Sequence, residues 1–254
     1  MPLFQKAVFH TTVAHLRDMP PDAQREIAFA GRSNAGKSSA INTLANHTRL
    51  AFVSKTPGRT QYLNYFALDE GKYLVDLPGY GFAKAPEEIR SQWEGLLAPY
   101  LRFRVPLVGL VLIMDSRHPL TELDLQMLEW FAQTGKPIHI LLSKADKLTR
   151  EEQALALREV QAVLAKIGDN CTLQLFSSLK KTGVAEAEAI LGGWLGMEAK
   201  VETAPPVGLR TEKVARQKNR KAIGWSARTA KGEVKIPENK KPPAKGKPGA
   251  KCLT

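Results

Sequence analysis

Gly31-Arg32-Ser33-Asn34-Ala35-Gly36-Lys37-Ser38 fits the spacing G-x-x-x-x-G-K-[ST] at every fixed position. These residue types suit one task, gripping a chain of phosphates. Gly31 and Gly36 permit a tight loop whose backbone N–H groups converge on phosphate oxygens, and the following helix adds the positive end of its dipole. Lys37 can reach the outer phosphates, and the Ser38 hydroxyl is placed to coordinate Mg2+. A glycine turn capped by serine would look similar in isolation. The flanks argue against it: residues 25–30 read as a buried strand and residues 38–46 as a helix, which is where a phosphate loop belongs.

Two further runs add a metal ion and a base. Asp76-Leu77-Pro78-Gly79 follows an apolar strand, residues 72–75. A carboxylate there can hold Mg2+ through water, while the Gly79 amide can bond the terminal phosphate and sense its loss. Asp followed by Pro-Gly is by itself a common turn, so its position at a strand's carboxyl end carries the weight. Ser143-Lys144-Ala145-Asp146 follows the strand of residues 137–142. A carboxylate accepting two hydrogen bonds matches guanine N1–H and its exocyclic amine together. Adenine would leave that carboxylate unsatisfied, at a cost of about 1–3 kcal/mol. Asp146 is therefore the expected specificity residue, with the Lys144 stem along the base face. Ser143 stands where Asn or Thr is usual. Phe176, Ser177 and Ser178 close the last core strand, and position alone puts their amides near the guanine carbonyl. A guanine nucleotide, bound and hydrolysed, accounts for all of these residues, with Lys37 and Gly79 as catalytic candidates.

The elements that must position them alternate. Strands and helices follow one another from residue 25 to about 200, which predicts an α/β fold with ligand loops at the strand carboxyl ends. The expected sheet is mainly parallel and six-stranded, with helices on both faces. Thr121 with Asp124 predicts a reciprocal cap at the start of one helix. Residues 1–24 read as an N-terminal extension and residues 25–200 as the nucleotide-binding domain. Residues 201–254 read as a disordered basic tail. From Ala204 to Thr254 fourteen Lys/Arg face three Asp/Glu, so nearly all of the net charge of +12 lies there. Rich in Pro and poor in large apolar residues, that stretch cannot bury enough surface to offset chain entropy. The longest apolar run, residues 105–114, is too short to cross a membrane. Two distant cysteines and no leader-like start predict a cytoplasmic protein with reduced thiols.

Several of these runs resemble the EngB-type (YihA/YsxC) bacterial GTPases of the translation-factor class. The resemblance rests on Phe29 to Ser39 and on Ser54-Lys55-Thr56-Pro57-Gly58-Arg59-Thr60-Gln61. Asp76-Leu77-Pro78-Gly79-Tyr80-Gly81 and Asp115-Ser116-Arg117-His118-Pro119-Leu120 add to it, as do Lys144 to Leu148 and Phe176 to Lys181. It spans residues 5–197 and is taken to leave out the tail. It implies a P-loop GTPase fold and a Mg2+-dependent GTPase acting as a switch in large ribosomal subunit assembly, needed for normal division and septation. It also implies that Thr60 joins Ser38 on Mg2+ and takes part in catalysis when GTP is bound. Gly58, Arg59, Gln61 and Tyr62 would border the nucleotide in the same loop, which can order around the terminal phosphate and relax after hydrolysis. Asn34 resembles an asparagine that helps several related GTPases hold K+ against the phosphates, or it simply shapes the loop. Many small GTPases place Gln after the glycine of D-x-x-G; here Tyr80 takes that place, so unaided hydrolysis should be slow. The implied partner is a large-subunit precursor with its rRNA; the tail's own charge and composition predict an electrostatic anchor, and a monomer with no membrane partner is expected. A rival reading is a regulatory module acting directly on division proteins, with hydrolysis incidental. An ATP-driven enzyme would leave Asp146 unexplained.

Overall fold

The computed structural model describes residues 2–52, 62–80 and 93–197; Gly58, Arg59, Thr60, Gln61 and the basic tail lie outside the described residues. Its strands are β1 (Val8–Val13), β2 (Arg25–Gly31), β3 (Leu63–Asp69), β4 (Lys72–Asp76), β5 (Leu107–Asp115), β6 (Ile138–Ser143) and β7 (Cys171–Leu175). The α-helices among the described residues are α1 (Lys37–Leu44), α2 (Ala98–Phe103), α3 (Glu122–Ala132), α4 (Arg150–Ile167) and α5 (Val184–Leu195). A π-helical turn, Trp93–Leu97, leads into α2.

The strands form one sheet in the order β1-β3-β4-β2-β5-β6-β7. β4, β2, β5, β6 and β7 run parallel, while β1–β3 and β3–β4 are antiparallel. The sheet therefore has seven strands rather than the six read from the sequence. The additional strand is β1, drawn from the segment read as an extension. Its sequence, Val-Phe-His-Thr-Thr-Val, has strand-forming residues but no clean alternation. Val13 is its one buried residue, and the register slips between Phe9 and Thr11. An edge strand that buries so little leaves no period-two signal to read. It covers the outer edge of β3, and Phe4 and Ala7 just before it are fully buried.

The inner strands are apolar on both faces because helices cover both. Alternate residues divide cleanly. Ala28, Ala30, Leu110, Leu112 and Leu142 pack with Leu101, Leu128, Phe131, Val160 and Leu164 of α2, α3 and α4. Ile27, Phe29, Val111, Ile113 and Leu141 pack with Ile41 and Leu44 of α1 and Leu191 and Leu195 of α5. Trp130 and Trp194 pack against these two layers, which accounts for them as core rather than ligand contacts. Thr121 and Asp124 form the expected cap, with Thr121 N and Oγ1 donating to Asp124 Oδ2 at 3.2 and 2.7 Å. At the other end of the sheet Glu26, fully buried, accepts from Arg104 Nε and Nη2 at 2.9 and 2.6 Å.

One buried group makes stability pH-dependent. His139 of β6 has no exposed surface, and its ring nitrogens contact Thr172 Oγ1 at 2.7 Å and Gln174 Oε1 at 3.0 Å. Burial pushes the imidazole down to about 4, against the opposing bond to Gln174. The unfolded chain therefore binds a proton that the folded chain refuses between pH 6.5 and about 4. The contribution is complete above the unfolded value and is lost as pH falls, up to about 3 kcal/mol. Urea unfolding near neutrality and at about pH 5 should show this loss, and His139→Gln should remove its part of the slope. An unchanged slope in the variant would mean that the histidine protonates equally in both states.

Candidate functional site

The parallel strands deliver their motifs to one edge of the sheet. Gly31, Asp76, Asp115 and Ser143 end β2, β4, β5 and β6, and Phe176 follows β7. Pairing continues past β2 and β4: Ser33 N donates to the Tyr80 carbonyl at 3.0 Å, and Tyr80 N to the Gly31 carbonyl at 3.4 Å. The loop of residues 31–38 and the run Asp76–Tyr80 are thus joined along their backbones.

The two loop glycines serve different ends. Gly36 has φ +106°, a left-handed conformation that admits few side chains, and it makes the tight turn into α1. Gly31 closes β2 instead, and a Cβ there would lie 2.7 Å from the Ile113 carbonyl oxygen of β5. It permits close strand packing, a use the motif does not reveal. No side chain caps the amino end of α1, so its first-turn N–H groups lie at the end of the loop. Such an uncapped end is suited to an anion.

Lys37 differs from expectation. Its side chain is largely buried and its ammonium bonds Asp76 Oδ1, itself buried. The two residues read separately, one for phosphate and one for metal, form a buried ion pair. Ser38 is partly buried, and Leu77 and Pro78 are buried. Arg32 and Ser33 are partly buried, Ala35 is buried, and Asn34 is exposed with φ +64°. Gly79 is partly buried and Tyr62 exposed. Tyr80 turns inward: its hydroxyl donates to Asp124 Oδ1 at 2.9 Å, at the cap of α3. Burial, with Asp124 beside it, raises the phenol well above its ordinary value, so it remains neutral.

The base-side motif is locked to the phosphate loop. The Ser143 hydroxyl donates to the Ala35 carbonyl. Lys144, itself at φ +57°, donates from Nζ to the Asn34 carbonyl at 2.6 Å and to Asp115 Oδ2 at 2.9 Å. Asp146 and Ala145 begin a short 3-10 turn. Ala145 N donates to the Phe176 carbonyl at 3.1 Å. The Ser177 hydroxyl donates to Asp146 Oδ1 at 2.6 Å and accepts from Lys180 N at 3.0 Å. The sequence places Ser177 by its amide alone; its side chain also fixes the carboxylate. Asp115 and Arg117 carried no assigned role. Arg117 donates to Asp115 from Nε at 2.9 Å and Nη2 at 2.6 Å. Burial opposes ionisation of Asp115, but the bonds from Arg117 and Lys144 outweigh it and hold the carboxyl well below the usual range. An acidic residue at the carboxyl end of an apolar strand was the available signal.

A mainly parallel sheet with helices on both faces, a G-x-x-x-x-G-K-S loop after β2 and an Asp-x-x-Gly run after β4 define the P-loop GTPase class. A family model described as a 50S ribosome-binding GTPase matches residues 26–144. The probable GTP-binding protein EngB of Dechloromonas aromatica is 60% identical over 253 residues, 99% of either chain. That of Aromatoleum aromaticum is 62% identical over 197 residues, 78% of this chain and 91% of its own. The crystal structure of a probable GTP-binding protein engB aligns with a TM-score of 0.53 at 19% identity, covering 68% of this chain and 100% of that one. This chain belongs to the EngB family of GTP-binding proteins. The Dechloromonas match runs through the basic tail, so the likeness is not confined to residues 5–197.

Proposed function

We propose that this chain is a Mg2+-dependent GTP switch that hydrolyses its nucleotide slowly and acts in assembly of the large ribosomal subunit, supporting division and septation. The observation that carries the nucleotide part is the joining of three motifs at one sheet edge, through Tyr80 to Ser33 and through Ser143 and Lys144 to the loop. Lys37 and the uncapped end of α1 would hold phosphates, and Asp146 would accept from guanine. Residues 58–62 would border the nucleotide as well.

The donor chemistry fits Mg2+. Among the described residues no cluster of His, Cys, Asp or Glu could cage a metal unaided. The Ser38 hydroxyl and the Asp76 carboxylate are hard oxygen donors that suit an ion sharing its coordination with phosphate. Thr60 would be a further ligand. The ion would neutralise charge developing on the phosphates during transfer. Lys37 would do the same from the loop, and the Gly79 amide would bond the terminal phosphate. Nothing in the described geometry at Asn34 supports a K+ site: its carbonyl serves Lys144 and its side chain is exposed. Slow turnover is supported by Tyr80, whose side chain is committed to Asp124 and leaves no water-orienting amide after Gly79.

The ribosomal part draws on the description of the matching family model. The tail, with fourteen basic residues, would neutralise rRNA phosphates, each contact on a single strand steepening log K against log[salt] by about −0.7. No helix among the described residues is long and apolar enough to cross a membrane. Sedimentation of ribosomal particles with this protein, loaded with a GTP analogue or GDP, tests the reading. Large-subunit particles should be retained with the analogue and released with GDP. Truncation after Thr203 should keep GTP affinity and flatten the salt dependence of that retention. Nucleotide-independent retention would refute the switch, and capture of division proteins without particles would favour the rival reading.

A further inference from the structure

We infer that Asp115 is a positioning residue for nucleotide binding: it holds the Lys144 ammonium against the phosphate-loop carbonyl of Asn34 and so couples the base side of the site to the phosphate side. This rests on the guanine-nucleotide reading above.

The geometry begins with the sheet. Asp115 ends β5 and pairs in register with Ser143, the end of β6, so its side chain lies beside Lys144. The flanking backbone is tied as well, Ser116 N donating to the Ser143 carbonyl at 3.0 Å. Asp115 is almost fully buried, and its carboxylate accepts from its neighbour Arg117 and, across the strands, from Lys144. Oδ1 takes Arg117 N at 3.1 Å and Nε at 2.9 Å, while Oδ2 takes Arg117 Nη2 at 2.6 Å and Lys144 Nζ at 2.9 Å. Lys144 Nζ is shared between this carboxylate and the Asn34 carbonyl. Its stem crosses Gly36, with Cε 4.0 Å from where a Cβ on that glycine would sit. A flexible four-carbon chain is thereby held at its tip from two sides, directly over the phosphate loop.

Each end of this bridge sits in left-handed backbone, at Asn34 and at Lys144. Non-glycine residues adopt that conformation at a cost, and surrounding bonds must enforce it. The Lys144 ammonium is one such bond. Asp115 is the carboxylate that offsets its charge beside the Arg117 guanidinium. Without that carboxylate two cations would face each other across a partly buried gap. Lys144 would then leave the Asn34 carbonyl for solvent, freeing the loop and uncovering the face on which a base would lie.

A competing account is that Asp115 only closes its own turn through Arg117. A double-mutant cycle separates the two, because residues acting through one contact are not additive. Full-length wild type, Asp115→Asn, Lys144→Met and the double variant are titrated with fluorescent GDP, with thermal unfolding followed in parallel. Asp115→Asn should weaken GDP binding by about tenfold to a hundredfold, mainly through faster release. The double variant should bind no more weakly than Lys144→Met alone. The ratio of guanine to xanthine nucleotide affinity should not move, because Asp146 is untouched. Additive losses would overturn the proposal, as would a loss that couples to Arg117→Gln instead of Lys144→Met. If Asp115→Asn alone fails to fold, the same cycle is run in the Arg117→Gln background, where the neutral amide faces one cation. Failure of wild type to bind GDP would instead overturn the nucleotide reading itself.

Discussion

Lys37→Ala should reduce GTP affinity by at least about a thousandfold, which corresponds to roughly 4 kcal/mol. The ammonium is the charge that the loop motif sets against the outer phosphates. The structure adds a second consequence that the motif hides. Lys37 is bonded to Asp76 where both are buried, so alanine strands a carboxylate without its partner. Breaking a buried pair from one side typically costs about 3–5 kcal/mol. The variant should therefore be destabilised as well as unable to bind, contrary to a reading in which Lys37 points only at ligand. Lys37→Ala with Asp76→Asn removes both charges and should recover much of the stability but none of the binding. Ser38→Ala touches neither charge and should impair Mg2+-dependent binding in a fully stable protein. Calorimetric titration with GTP, paired with urea unfolding, separates the two effects. Normal GTP affinity in folded Lys37→Ala would end the phosphate-loop assignment.

What could be read from the chain follows the range of the interactions involved. The inner strands and the helix caps depend on residues a few positions apart, so β2, β4, β5 and β6 and the cap at Thr121–Asp124 were legible. The chain order of the motifs, combined with a parallel sheet, also placed them at one edge. Contacts set by strand register were not legible. Asp115 meets Lys144 because β5 and β6 end level, and no local pattern states that. The burial of Tyr80 against Asp124 joins residues 44 apart in sequence, and the Lys37–Asp76 pair joins residues 39 apart. β1 was missed for a different reason. It lies at an edge with one face and one side open, so its residues are chosen without a strict period. Thr60 came only from resemblance, since Thr56 is an equally good hydroxyl a few residues away.

Asp146→Asn should lower GTP affinity by about a hundredfold or more and raise affinity for xanthosine triphosphate. The structure supplies the reason in the way the carboxylate is held. Ser177 donates its hydroxyl hydrogen to Asp146 Oδ1 at 2.6 Å, and its oxygen already accepts from Lys180 N at 3.0 Å. Accepting from Lys180 on one lone pair, Ser177 directs its hydroxyl hydrogen at residue 146 and so favours an acceptor there. Asparagine would then keep its carbonyl toward Ser177 and turn its NH2 outward, where Asp146 Oδ2 had stood. That NH2 would face the guanine amine donor to donor, so that of two charge-assisted bonds worth about 1.5–3 kcal/mol each one would become a repulsion and the other would lose its charge. Xanthine presents a carbonyl in place of the amine and accepts from the new NH2. A site that binds through hydrogen bonds discriminates sharply, because the wrong base leaves its polar groups unpaired. Ser177→Ala removes the orienting hydroxyl and should let the amide rotate, so that Asp146→Asn with Ser177→Ala prefers xanthine less strongly than Asp146→Asn alone. Competition between the two nucleotides measures both variants. An unchanged GTP preference in Asp146→Asn would remove this residue from the base site, and an unchanged xanthine preference in the double variant would show that Ser177 does not set its orientation.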